Sequence, residues 1–304
     1  MIQRPRAGTA PLHLFLLVIM GSFWGLQFAM LKKAAAGGFA EVEILTISLA
    51  VIAAVFSIIV LVQAKSFRPK PGHLLYFAIG SFLGYILPLG VAIYISQNLT
   101  AGLLTFIGSL SPILTIGFAA MLRTEKISRL RVLAMVLGMA AALTVFWPEL
   151  VAAHSALLPW LALALLIPVS YSLDVIYIGA FWPPELEELQ VVAGEATTAA
   201  LMLLPFFLIF GDIPGLGRPW SDGHWGVAVF TLCGVIEVML FFYLVRHAGA
   251  VLVSFGSLVA LFAGIGWGMV IFSEQHGFTL WIAVGLLSAA LVAVGLDKRE
   301  TEDG

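Results

Sequence analysis

Residues 225–245 read WGVAVFTLCGVIEVMLFFYLV, with Glu237 near the middle as the one charged residue. A run that is apolar on every face has no side to turn to water. About 20 apolar residues cross the hydrocarbon core of a bilayer as a helix. Continuous apolarity, in place of alternation, excludes a barrel strand. The same pattern recurs at 12–31, 42–62, 74–95, 101–122, 130–147, 157–180, 190–210, 250–272 and 278–296. Turn formers separate the runs: Gly37-Gly38, Arg68-Pro69-Lys70-Pro71, Trp147-Pro148, Pro183-Pro184 and the Gly/Pro-rich stretch from Asp212 to Asp222. The expected fold class is therefore all-α, a polytopic membrane protein of ten transmembrane helices.

Composition agrees. The chain is 61% hydrophobic and 11% charged, with a mean hydropathy of +1.07, whereas soluble domains carry about a quarter charged residues. Ten spans leave about a third of the 304 residues for loops and tails, which excludes a large soluble domain. No basic, aromatic-interleaved surface suggests nucleic acid. Cys233 is the one cysteine, so a disulfide framework or thiolate metal site is not expected; it reads as a small core residue. No metal or cofactor is expected. Arg4 and Arg6 before the apolar run resemble a secretory signal, but the run continues to Met30 without a cleavage pattern and reads as a retained first span.

Lysine and arginine placement sets the orientation. With the N-terminus inside, Arg4, Arg6, Lys65, Arg68, Lys70, Arg123, Lys126, Arg129, Arg131, Arg246, Lys298 and Arg299 are cytoplasmic, and only Lys32, Lys33 and Arg218 lie outside. A missed or invented span near the middle would scramble that division. The inner loop with Glu185, Glu187 and Glu188 carries no basic partner, which weighs little because acidic residues contribute little to the rule.

Sliding the chain by 149 positions pairs Tyr94 with Tyr243, Ala101 with Ala250, Phe106 with Phe255, Gly117 with Gly266 and Glu125 with Glu274; a shift of 147 pairs Trp24 with Tyr171 and Gln27 with Asp174. The chain reads as two five-span halves, 1–150 and 156–304, and an odd number of spans per half makes the repeat inverted. On these residues the sequence resembles the EamA family of the drug/metabolite transporter superfamily over nearly its whole length. The family's Trp-Gly pair in span one is matched by Phe23-Trp24-Gly25-Leu26-Gln27. Its fourth span, with an alanine-rich start, a mid-helix proline and a terminal Glu, is matched by Ala101, Ser111-Pro112 and Arg123-Thr124-Glu125-Lys126. Span nine departs with Leu261 at the proline position while keeping Glu274. Span six departs with Tyr171 and Asp174, which leaves the substrate open. The resemblance implies a metabolite carrier of the bacterial inner membrane, in most relatives an exporter of amino acids or related compounds.

Charged groups in hydrocarbon cost several kcal/mol, so each buried one is a functional candidate. Asp174, Glu195 and Glu237 are the carboxylates well inside spans. Glu237 and Asp174 read as substrate-amine partners or protonatable coupling groups. Glu195, about one and a half turns from the end of span seven, reads as within reach of interfacial water. Trp24 and Gln27 share a helix face and, with Tyr171 and Asp174 at the repeat-equivalent sites, suggest a central cavity. Tyr85 adds a hydroxyl beside a backbone kinked by Pro88; Ser109, Ser111 and Pro112 form a second such place. Gly21/Gly25, Gly80/Gly84 and Gly264/Gly268 allow close helix approach, used within one chain or in a weak homodimer. The histidines, near span ends or in loops, read as solvated. Glu125 and Glu274 read as structural caps at loop edges.

The reading is a secondary transporter working by alternating access, with a small-molecule substrate and membrane lipid as its partners, as a monomer or weak homodimer. The alternatives are a multi-span membrane enzyme or a lipid-carrier flippase subunit. The sequence holds no His-Glu-x-x-His, Gly-x-Gly-Asp, Gly-x-Ser-x-Gly or Walker motif. A zwitterion or amine suits acidic groups beside aromatics, its ammonium held by charge and by cation–π contact.

Overall fold

The computed structural model describes residues 10–63, 70–95, 98, 107–124, 127–152, 158–211, 219–273 and 277–300. Several expectations fall outside them: the caps Glu125 and Glu274, the repeat positions Ala101 and Phe106, the basic residues Arg4, Arg6, Lys65, Arg68, Lys126 and Arg218, and the side chains of Lys298 and Arg299. Among the described residues the regular structure is all helical. The helices are α1 (Ala10–Ala36), α2 (Glu41–Val62), α3 (Pro71–Ser81), α4 (Leu87–Ile95), α5 (Ser111–Leu122), α6 (Arg129–Ala152), α7 (Leu158–Ala164), α8 (Leu166–Phe181), α9 (Glu188–Phe210), α10 (Asp222–Ala248), α11 (Ala250–Ser254), α12 (Gly256–Phe272) and α13 (Phe278–Glu300).

Seven stretches are long and apolar enough to cross a membrane, those covering α1, α2, α3 with α4, α7 with α8, α9, α10, and α11 with α12. Ser111–Leu122 and Phe278–Val294 are shorter apolar helices. The first of these falls short of the expected 101–122 span because residues 101–106 are outside the described set.

The breaks have local causes. Between α3 and α4 the backbone makes a π turn, Phe82–Ile86, in which the Leu87 amide donates to the Phe82 carbonyl five residues back. In that register the next donor would be Pro88, which has no N–H. Its missing bond to Leu83 is replaced by Ser170 of α8, whose hydroxyl donates to the Leu83 carbonyl at 2.6 Å. Where a kink was expected beside Tyr85, the backbone thus holds a π turn bonded across to α8. The ends of α5 and α12 resemble each other: Arg123 and Ser273 both take a left-handed conformation, φ 55°, and the Arg123 amide closes the last turn on Ala120.

Packing follows a paired pattern. Helix α1 lies against α10 and α12, as α8 lies against α4 and α5; α2 pairs with α9, and α6 with α13. Aromatic side chains also meet across helices. Tyr94 on α4 meets Trp160 on α7 with ring centroids 5.9 Å apart, and Tyr243 on α10 meets His13 on α1 at 6.3 Å. His13 and Trp160, like Trp24 and Tyr171, stand 147 positions apart. The glycine pairs serve contacts within the chain. A Cβ on Gly21 would lie 2.5 Å from Val259, and one on Gly25 would lie 2.6 Å from the Gly264 nitrogen, so α1 and α12 approach at backbone distance.

Two readings need correction. The acidic loop does have basic partners, supplied by other segments: Glu185 bonds Lys70 and His73, each at 3.0 Å, and Glu188 pairs with Arg246 at 3.2 Å. Those hydrogen bonds from Lys70 and then His73 hold the exposed Glu185 carboxyl down at about 2. The histidines are not uniformly solvated either. His13 and His73 are buried, His73 because its ring also caps α3 by accepting from the Lys70 amide at 3.3 Å. Linear proximity to a span end did not reveal which neighbouring helix would cover each ring.

Candidate functional site

Helix α8 places Tyr171 and Asp174 three residues apart, on one face. Tyr171 packs edge-on against Trp24 of α1, with centroids 6.1 Å apart and planes at 85°, a favoured aromatic geometry. Above this pair lies a cavity of about 140 Å³ walled by Trp24, Phe28, Ser109, Tyr171, Ser257 and Ala260 among others. That is near the size of an engineered cavity of about 150 Å³ that accepts benzene. The wall is mostly apolar, with the hydroxyls of Ser109, Tyr171 and Ser257 as its polar points.

Asp174 lies behind Tyr171, away from the cavity wall, and is only 5% exposed. Its carboxylate rests on Gly84 of the π turn, where a Cβ would sit 3.0 Å from Oδ2. Glu195 of α9 is 1% exposed and rests on Gly80, one turn earlier, where a Cβ would sit 2.8 Å from Oε2. The Gly80/Gly84 pair, expected to let two helices touch, instead seats two carboxyl groups. Ser81 fixes α9 beside them by donating to the Glu195 backbone carbonyl at 3.1 Å. Asp174 Oδ1 and Glu195 Oε2 have no hydrogen-bond partner among the described residues, and neither carboxyl is in a salt bridge there.

Tyr85, in the π turn, is within electrostatic reach of Glu195, Glu237 and Asp174. Tyr171 is likewise in reach of Glu237 and Asp174, so it connects the cavity wall to the acidic cluster. Gln27 faces elsewhere: its Oε1 and the Ser48 hydroxyl of α2 both lie 3.6 Å from where a Cβ on Gly234 would sit. Gly234 is three residues before Glu237 on α10. Of the residues expected to form the site, Trp24 and Tyr171 line the cavity, Tyr85, Asp174 and Glu237 gather behind it, and Gln27 packs against α10. Ser109 is on the cavity wall; Ser111 and Pro112 are buried at the start of α5, with the Ser111 carbonyl accepting from Ser172 at 2.9 Å.

Glu195 is the residue whose surroundings sequence position misjudged. Counting turns from the span end put it near water, but the Gly80 face of α3 covers it. The available signal was Gly80 itself, on the helix that α9 packs against. Ser257 gave no signal, being one of two serines, with Ser254, in a long apolar run.

Residues 12–147 match the model of the EamA-like transporter family. A solved crystal structure, described only as that of a protein, is similar over 96% of this chain and 98% of its own, with a TM-score of 0.77 and 16% identity. At that identity the likeness shows the fold alone. No curated protein matches the chain.

Proposed function

We propose, from the match of residues 12–147 to the model of the EamA-like transporter family, that this multi-pass membrane protein is a secondary transporter exporting an amino acid or related amine. The observation that carries the reading is the cavity shared by α1, α8 and α12, with Glu237 and Asp174 within electrostatic reach of its Tyr171 wall. An ammonium group placed against Trp24 and Tyr171 would meet ring faces and lie in the field of Glu237 and Asp174. An enzyme reading has no comparable support, since the cluster contains no nucleophile paired with a base.

Alternating access fits an inverted pair of five-helix units, 1–150 and 156–304, in ten spans with both termini cytoplasmic. The paired packing pattern and the matched Tyr94–Trp160 and Tyr243–His13 contacts support that division. So does the meeting of Trp24 with its repeat mate Tyr171. Rocking of the two units would open the cavity to each side in turn, and a monomer suffices for it.

The test is counterflow in liposomes against a panel of the common amino acids and simple alkylamines. Wild-type protein should exchange at least one of them, and Glu237→Gln should exchange it at least tenfold more slowly at limiting concentration. Transport of the whole panel by Asp174→Asn and Glu237→Gln proteins at the wild-type rate would rule the reading out.

A further inference from the structure

The acidic residues behind Tyr171 divide by geometry. Glu237 is partly exposed within the bundle. Asp174 and Glu195 are sealed, stacked one turn apart on the glycine face of α3, each with an orphaned oxygen. A buried carboxylate without a donor is costly. Two within each other's field cannot both ionise without paying for their repulsion as well. An orphaned carboxyl oxygen in such a pair is where a proton belongs.

We infer that Asp174 and Glu195 form the site of a coupling proton, off the wall of the cavity that takes the substrate. The inference rests on the transporter reading above and names the ion that drives it. The groups facing the pair are Tyr76 and Tyr85 from the rod formed by α3, the π turn and α4, and Tyr171 and Tyr177 from α8 itself; Glu237 of α10 reaches Tyr85 and Tyr171. None of these is cationic. Glu43 of α2, the helix paired with α9, is committed to the Ala40 amide at 2.8 Å. A proton is therefore the available neutralising charge, and no cluster of three or more metal-ligating side chains occurs among the described residues.

Location supplies the coupling. The seat spans Gly80 to Gly84 and runs into the π turn Phe82–Ile86, the irregular segment of that rod and a natural hinge. With the proton bound, the carboxyls tolerate the dry contact with α3. When it leaves to water, the remaining charge requires solvent, and α8 and α9 must part from the glycine face. Tyr171 carries that displacement to the cavity wall.

Two measurements decide it. Infrared difference spectra of purified protein, titrated with pH and without substrate, should show a protonated-carboxyl band in wild type that is lost in Glu195→Gln and in Asp174→Asn but kept in Glu237→Gln. In liposomes, Glu195→Gln should retain counterflow of the panel amino acid within about threefold of wild type. It should lose the severalfold stimulation given by an imposed pH gradient. A band that survives in both Glu195→Gln and Asp174→Asn, or full pH-gradient stimulation in Glu195→Gln, overturns the inference. If wild type moves no member of the panel, the transporter reading fails while the infrared titration still decides the proton site.

Discussion

Two places in the molecule, related by the proposed repeat, have been filled differently. In one, Gln27 of α1 and Ser48 of α2 meet Gly234 of α10. In the other, Asp174 of α8 and Glu195 of α9 meet Gly84 and Gly80 of the α3 rod. Gln27 to Asp174 and Ser48 to Glu195 are each steps of 147 positions. The glycine seat is kept in both, so the backbone approach is a property of the fold. The groups on the glycines are neutral in the first and acidic in the second, and in the proposed transporter that asymmetry would supply the proton chemistry. A neutral amide and a hydroxyl can share bonds locally at small cost, whereas two unpaired carboxyls persist in a membrane interior only where they do something.

Making the second place a copy of the first should have the largest effect. The Asp174→Gln/Glu195→Ser protein should lose gradient-driven accumulation of the panel amino acid by at least tenfold in liposomes. It should also melt a few degrees higher, because two desolvated unpaired carboxyls have been removed. A lower melting temperature would show that the acids hold the fold together. Glu237→Gln should weaken amino-acid binding by roughly thirtyfold, about 2 kcal/mol, as expected when one partner of a buried charge contact is lost; thermal-shift titration reads this directly.

The glycine seats can be compared at equal chemistry. Gly80→Ala pushes a methyl to 2.8 Å from Glu195 Oε2, whereas Gly234→Ala meets Ile52 Cδ1 at 3.1 Å and Gln27 Oε1 at 3.6 Å. The first should cost about 1 kcal/mol and alter the pH dependence of transport; the second should cost less than about 0.5 kcal/mol and leave it unchanged. Equal melting shifts would mean that the seats do not differ.

The smallest effect is expected from an acid that does have partners. Glu185 is held at about 2 by Lys70 and His73, against an ordinary 4.5. A depressed native value means that its contribution is complete above the ordinary value and is lost as pH falls through about 2. The stability difference between wild type and Glu185→Gln should therefore be modest at neutral pH, shrink below about pH 4.5, and shrink in high salt. A difference that grows in acid would contradict the pairing.

Much of the fold was readable because apolarity sums along the chain. The run around Glu237 announced an apolar helix long enough to cross a membrane, and Pro88 announced an irregular backbone where the π turn Phe82–Ile86 stands. Part of the candidate site was readable in one respect: Trp24 and Tyr171, expected together, do meet. The surroundings of Glu195 were misjudged because distance from a span end says nothing about which helix covers a side chain. The partners of Glu185 and Glu188 were invisible because Lys70 and Arg246 lie far away in sequence.

The sequence by itself thus determined that the chain is helical and bound to a membrane, since the cost of moving backbone and side chains into hydrocarbon is local to each segment. Only the tertiary structure decided which carboxyls are sealed, which are paired, and that Gly80 and Gly84 seat the acids of the helices packed on them. Burial and pairing depend on which helices meet, and those meetings join residues that the linear order keeps apart.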